Sequence, residues 1–128
     1  MTNRSILLVD DEEIILKSLG NLLEKAGYKV SQADSAEAGL ELFQENKHPL
    51  VITDLIMNGL GGVELVRRVK LLIPETQVLV ITGCGEHAPT IHAMENGADG
   101  YLLKPCGRQE LLQKVSDCFN KLGMRYDQ

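Results

Sequence analysis

Tryptophan is absent from this chain of 128 residues, and aromatic side chains make up only 4% of it. Apolar residues nevertheless account for 44%, and that length is enough to fold on an apolar core without disulfides or a structural metal. Cysteine is scarce. Cys84, Cys106 and Cys118 form an odd set with no C-x-x-C pair, which excludes a disulfide framework and suits reduced thiols in a cytosol. A thiol metal or redox site needs paired, suitably spaced ligands, and these three lack the spacing. Basic charge is in the minority, with 13 Lys and Arg against 18 Asp and Glu, and no three basic residues are consecutive. A polyanion is gripped by clustered cations, so direct nucleic-acid binding is excluded for this chain. Long apolar runs are missing too. Ile6-Leu7-Leu8-Val9 and Val78-Leu79-Val80-Ile81 fall far short of the roughly 20 residues a membrane span needs. The stretch after Met1–Ser5 is too short for a signal-peptide core, so a cytoplasmic protein is expected. Repeats, low-complexity segments and charged tails are also lacking. A single domain over residues 1–128 is therefore expected, with its core at about 5–122 and residues 123–128 as a tail or the start of a linker.

What is present is an alternation of short apolar runs with helical periodicity. Strands are predicted at Ser5–Val9, Tyr28–Ala33, Leu50–Thr53, Gln77–Thr82 and Gly100–Leu103. Between the first two, Ile15, Leu19, Leu22, Leu23 and Ala26 share a helical face that Gly27 terminates. Asp34 followed by Glu37 resembles a capping box ahead of Leu40 and Phe43. Leu65, Val66, Val69 and Leu72 mark a helix that Pro74 stops, and residues 87–96 give a weak helical pattern anchored by Ile91 and Met94. Leu111, Leu112, Val115, Cys118, Phe119 and Leu122 define the last helix. Five strands alternating with five helices imply right-handed βαβ units. The expected fold is α/β, a doubly wound five-stranded parallel sheet of flavodoxin-like order 2-1-3-4-5 with helices on both faces.

That topology makes a functional prediction, because ligands in such sheets bind at the carboxyl ends of the strands where the order reverses. Asp10 and Asp11 follow strand 1, Asp54 ends strand 3, Thr82 ends strand 4 and Lys104 follows strand 5. Carboxylates about 4 Å apart repel by on the order of 4 kcal/mol at an effective dielectric of 20. A hard divalent cation relieves this, and an all-oxygen set suits Mg²⁺. Asp54 is placed to accept a phosphoryl group as an acyl phosphate, Lys104 to ion-pair with that group, and Thr82 to donate a hydrogen bond to it. Glu12 and Glu13 read as a solvated acidic helix start. His48, His87 and His92 share no ligand spacing and read as surface loop histidines, while Met57 and Met94 read as packing residues.

The set Asp10-Asp11, Asp54, Thr82, Tyr101 and Lys104-Pro105, in this order and spacing, resembles a response-regulator receiver domain of bacterial two-component signalling. The resemblance covers about Ser5 to Leu122. It implies that Asp54 is phosphorylated by a histidine kinase or histidine phosphotransfer protein. It likewise implies that Asp11, Asp54 and the backbone carbonyl of Ile56 hold Mg²⁺, with Asp10 acting through metal-bound water. Thr82 and Tyr101 would form a switch pair, and the Lys104-Pro105 peptide would be cis. Such a protein catalyses its own phosphorylation and slow dephosphorylation. It signals through the surface from strand 4 to helix 5 to a downstream effector domain or protein, and homodimerisation on phosphorylation is compatible with this. Ile14, with Met57 and Pro105, forms a candidate apolar rim for a helical phosphodonor. Asn58, Gly83 and Cys106 depart from the usual pattern of the family.

Three rival readings fit the sequence less well. An aspartyl-phosphate hydrolase of haloacid dehalogenase type needs a second Asp two residues after the nucleophile, where Ile56 stands. A flavodoxin-like binding protein wants a Ser/Thr-rich phosphate loop where Asp10–Glu13 stand. A non-phosphorylated receiver-like adaptor is disfavoured by the complete acidic set. The chain fits either a stand-alone regulator or the receiver of a longer one.

Overall fold

The apolar runs fold as the alternation predicts. A computed structural model describes residues 3–57, 59–83 and 88–123. In chain order the elements are β1 (Ser5–Val9), α1 (Glu13–Lys25), β2 (Lys29–Ala33), α2 (Ala36–Asn46), β3 (Leu50–Thr53), α3 (Gly62–Leu72), β4 (Gln77–Thr82), α4 (Ala88–Glu95), β5 (Gly100–Leu103) and α5 (Arg108–Lys121). The strands pair in parallel in the order β2-β1-β3-β4-β5. The expectations placed on Asn58, Cys84, His87 and residues 124–128 lie outside the described residues.

Successive strand side chains point to opposite faces, so a continuous apolar run serves two cores at once. Ile6 and Leu8 of β1 join Leu16, Leu23, Ile81, Leu111, Val115 and Phe119 beneath α1 and α5. Leu7 and Val9 join Phe43, Leu65, Val66, Val69, Val80 and Ala93 beneath α2, α3 and α4. Tyr28 stacks on Phe119 with ring centroids 5.3 Å apart, and the Arg4 guanidinium lies 4.4 Å from the Tyr28 ring centroid on the first layer's lower edge.

Helix ends follow local chemistry. Gly27 takes a φ of +100° just past α1, the left-handed conformation that favours glycine at that position. The cap of α2 is Ser35, whose hydroxyl accepts from the Ala38 N–H at 3.1 Å, and not Asp34 as the capping-box pattern suggested. Ser35 wins because it stands immediately before the first helical residue, where its oxygen reaches the third N–H beyond it.

Three further expectations are corrected. The buried seam of α1 is Leu16, Gly20 and Leu23; Ile15, Leu19 and Leu22 flank it half-buried and Ala26 is exposed. In α4 the buried residues are Thr90 and Ala93, whereas Ile91 and Met94 point outward at 52% and 39% exposure. The α4 backbone lies close against α3, so the small side chains take the inner face and the larger ones are left outside. His48 is not a surface residue but 1% exposed, with its ring nitrogen Nε2 3.1 Å from the Ser31 hydroxyl. The turn between α2 and β3 folds the ring inward onto β2, and burial lowers its pKa. His92 is exposed, as expected.

Candidate functional site

The parallel ladder runs one residue beyond the strands at the reversal of strand order. Asp10 N–H donates to the Ala33 carbonyl at 3.1 Å, and Asp54 N–H donates to the Val9 carbonyl at 3.0 Å. Both carboxylates are thereby fixed on one edge of the sheet, 2% and 8% exposed respectively. In each, one oxygen is committed locally. Asp10 Oδ1 accepts from the Glu12 N–H at 2.9 Å and Asp54 Oδ1 accepts from the Leu55 N–H at 2.8 Å. The second oxygens converge on Lys104, whose Nζ lies 2.9 Å from Asp10 Oδ2 and 3.1 Å from Asp54 Oδ2.

The backbone under Asp54 is held from below. The Thr53 hydroxyl donates to the Asp54 carbonyl at 2.8 Å, and the Gly62 N–H donates to the Leu55 carbonyl at 3.0 Å. A Cβ on Gly62 would stand 2.1 Å from the Asp54 carbonyl oxygen, so only glycine lets α3 begin this close to the acidic edge. Lys104 is placed by its N–H donating to the Thr82 carbonyl at 2.8 Å, and the Lys104-Pro105 peptide is cis. A cleft of about 390 Å³ opens beside it, lined by Glu12, Ile15, Ser18, Leu19, Ile81, Lys104, Pro105 and Cys106.

The electrostatics are those of a crowded anionic edge with one cation in it. Burial drives the Asp10 carboxyl above its ordinary pKa, and the Lys104 hydrogen bond only partly offsets this. Burial works to lower Lys104, but the hydrogen bonds and charges of Asp10 and Asp54 outweigh it and leave the ammonium above its ordinary value. Asp10, Asp11, Glu12 and Asp54 each offer a carboxylate oxygen, and these oxygens lie within 4.8 Å of one another. The donors are oxygen only, two of the residues buried and two exposed, which fits a hard divalent cation that keeps part of its water. The Lys104 ammonium supplies positive charge to three residues of this group, Asp10, Glu12 and Asp54.

Residues 6–116 match the family model described as response regulator receiver domain. The chain belongs to this family. The receiver is 37% identical to a solved response-regulator receiver domain from Clostridium thermocellum, which it superposes on with a TM-score of 0.89, covering 94% of this chain and 97% of that one. Among curated relatives it is 36% identical over 120 residues to the uncharacterized transcriptional regulatory protein YesN of Bacillus subtilis, and 34% identical over 123 residues to the response regulator GacA of Pseudomonas aeruginosa. These alignments cover 91% and 94% of this chain but 33% and 56% of the relatives, so the receiver spans a third to about half of their length. Family membership makes it a phosphoacceptor switch of two-component signalling. No helix among the described residues is long and apolar enough to cross a membrane.

Of the residues singled out in the sequence, the receiver brings Asp10, Asp54 and Lys104 into direct contact and places Asp11 beside them, exposed. Thr82 is fully buried at the end of β4, while Ile56 is 61% exposed on the loop after Asp54. Tyr101 pairs in register with Val80, two residues before Thr82, so its side chain shares the Thr82 face of the sheet. It is half-buried and lines a cleft of about 620 Å³ with Thr90, Ile91, Met94 and Glu95. Ile14 is 80% exposed, outside both cores, and Pro105 is exposed; Met57 packs partly against the second core. Cys106 is half-buried, and burial raises its thiol above the ordinary range, which leaves little thiolate. Glu12 is the residue that sequence reasoning passed over. Its Oε1 lies 3.3 Å from Lys104 Nζ, although the two are 92 positions apart in the chain. An acidic residue at a helix start carries no sign of such a partner, so no local signal marked it.

Proposed function

We propose that Asp54 is the phosphoacceptor, with Lys104 and Thr82 as the side chains that stabilise the transferred group. The observation that carries this reading is the convergence of Asp10 Oδ2 and Asp54 Oδ2 on one ammonium at the carboxyl edge of the sheet. A carboxylate oxygen of Asp54 forms the new O–P bond as the N–P bond of a phosphohistidine breaks, and the leaving imidazole keeps the electron pair of that bond. Lys104, already within hydrogen-bond reach of Asp54, turns to a phosphoryl oxygen. Thr82 donates its hydroxyl to another. Asp11, Asp54 and the Ile56 carbonyl would hold Mg²⁺, with Asp10 acting through water. When bound, the ion neutralises charge on the transferring oxygens. No acidic side chain stands at Ile56 to orient an attacking water, which favours a long-lived acyl phosphate over rapid hydrolysis.

Phosphorylation adds close to two negative charges at the edge of the sheet. Thr82 and Tyr101 are the pair proposed to carry that change to the surface from β4 to α5, with a downstream effector as its reader. The α4 helix suits a movable element. It buries only Thr90 and Ala93, and the Thr90 hydroxyl is enclosed without a hydrogen-bond partner among the described residues, a penalty of about 1–3 kcal/mol. The donor is a histidine kinase or phosphotransfer protein, docking on the apolar rim of Ile14 and Pro105. Residues 5–122 act as the switch unit, in the cytoplasm. Incubation with acetyl phosphate and Mg²⁺ followed by intact-mass measurement tests the chemistry. A single phosphoryl adduct on the wild type, absent from Asp54→Asn, is expected; no adduct on the wild type, or an undiminished one on the variant, rejects Asp54 as acceptor.

A further inference from the structure

Lys104 Nζ has three carboxylate partners of two kinds. The Asp10 and Asp54 side chains are only 3% and 9% exposed, whereas the Glu12 side chain, at 3.3 Å from the same nitrogen, is 63% exposed. Glu12 is therefore the outward partner, at the mouth of the 390 Å³ cleft that Lys104 also lines. Its backbone has separate duties, donating to Asp10 Oδ1 and accepting from the Leu16 N–H at the start of α1, and neither involves the side chain. The fourth carboxylate of the group, Asp11, makes no ion pair with this lysine among those of the described residues.

We propose that Glu12 is a positioning residue that parks the Lys104 ammonium away from Asp10 and Asp54 when a divalent cation occupies the acidic edge. The proposal rests on the reading of that edge as a cation site. A dication among Asp10, Asp11 and Asp54 repels an ammonium lying about 3 Å from two of the same carboxylates, so Lys104 must withdraw from at least one of them. On its buried side the ammonium has only Asp10 and Asp54 as ion-pair partners among the described residues. Outward it meets Glu12, already in contact and able to follow it because the carboxylate is largely in solvent. The Glu12–Lys104 pair thus tightens from 3.3 Å as the other two loosen, and by that difference the carboxylate favours cation binding through the lysine. A glutamate supplies the reach that this needs from the N-cap of α1; an aspartate there keeps the charge and loses the contact.

Binding of Mg²⁺ to the intact chain, followed by titration calorimetry without any phosphodonor, tests this separately from phosphoryl transfer. Glu12→Gln and Glu12→Asp are each expected to bind Mg²⁺ about fivefold more weakly than wild type, as for loss of one partly solvated ion pair. In a Lys104→Met background the Glu12→Gln change is expected to alter affinity by less than twofold, since a residue acting through the lysine has nothing left to act on. Unchanged affinity in Glu12→Gln, wild-type affinity in Glu12→Asp, or an equal fivefold loss in the Lys104→Met background overturns the proposal, the last two by showing a simple field effect. Absence of Mg²⁺ binding by the wild type overturns the cation reading itself, a result distinct from the other three.

Discussion

Replacing Lys104 by methionine keeps most of the side chain's length and removes the only cation in contact with Asp10 and Asp54 among the described residues. At 2.9 and 3.1 Å the gross attraction to each is roughly 5 kcal/mol at an effective dielectric of 20. Most of that is offset by the desolvation of the ammonium, which the variant no longer suffers. Glu12 adds at most about 1 kcal/mol, because its side chain is 63% exposed. What remains is the repulsion of two nearly buried carboxylates, on the order of 4 kcal/mol if they stand about 4 Å apart, reduced by solvent reaching the edge at Asp11 and Glu12. A net loss of about 2–4 kcal/mol follows, and at roughly 4 °C per kcal/mol the melting temperature falls by roughly 8–16 °C. Circular dichroism melts at pH 7.5 in EDTA measure it. Two dependences identify the cause. Asp10 is already raised by burial, so stability tied to its protonated form is present at low pH and lost as pH rises through its folded pKa. The gap between Lys104→Met and wild type should therefore narrow towards pH 5. Added Mg²⁺ should also narrow it, since a cation replaces the missing charge. A variant as stable as wild type at pH 7.5 in EDTA, or a gap indifferent to both pH and Mg²⁺, would refute the electrostatic account.

His48 makes the protein acid-sensitive at the other end of the sheet. Burial depresses its pKa, so the unfolded chain binds the proton first as pH drops below the ordinary value of 6.5, and stability present above that pH is lost on acidification. The slope due to this residue is at most about 1.4 kcal/mol per pH unit. Urea titrations between pH 7.5 and 5.5 should show His48→Leu losing less stability than wild type, and parallel losses would discount the histidine. For the donor rim, Ile14→Arg should slow phosphoryl transfer from a phosphohistidine protein while leaving labelling by acetyl phosphate unchanged, because Ile14 is 80% exposed and outside both cores. Equal slowing with both donors would dismiss the rim.

Four of the five strands were legible in the sequence to the residue, and the fifth to within one; in β1, β3 and β4 this is because an apolar run buried on both faces is continuous and ends sharply at polar residues. The alternation implied a doubly wound parallel sheet, for which 2-1-3-4-5 is a common order, and that order brings the loops after β1 and β3 together at the acidic edge. Less legible were matters of which face turns inward. The eight residues of α4 carry too few apolar side chains to declare a face, and contact with α3 selected Thr90 and Ala93 over the larger Ile91 and Met94. His48 reads as a loop residue until β2 supplies Ser31 and the surrounding core. Glu12 reads as a helix-start acid until β5 delivers Lys104 to its carboxylate.

The periodicity of the chain by itself determined the fold class and, with the common strand order of such sheets, the edge of the candidate site and Asp10, Asp54 and Lys104 as its candidates. Tertiary structure alone decided how one ammonium is shared among Asp10, Asp54 and Glu12, and which of these anions is buried and which wet. The physical reason is that burial on a periodic pattern is a local property of the sequence. The energy of a charge depends on every charge and every solvent path within a few ångströms, and only the folded chain sets those distances.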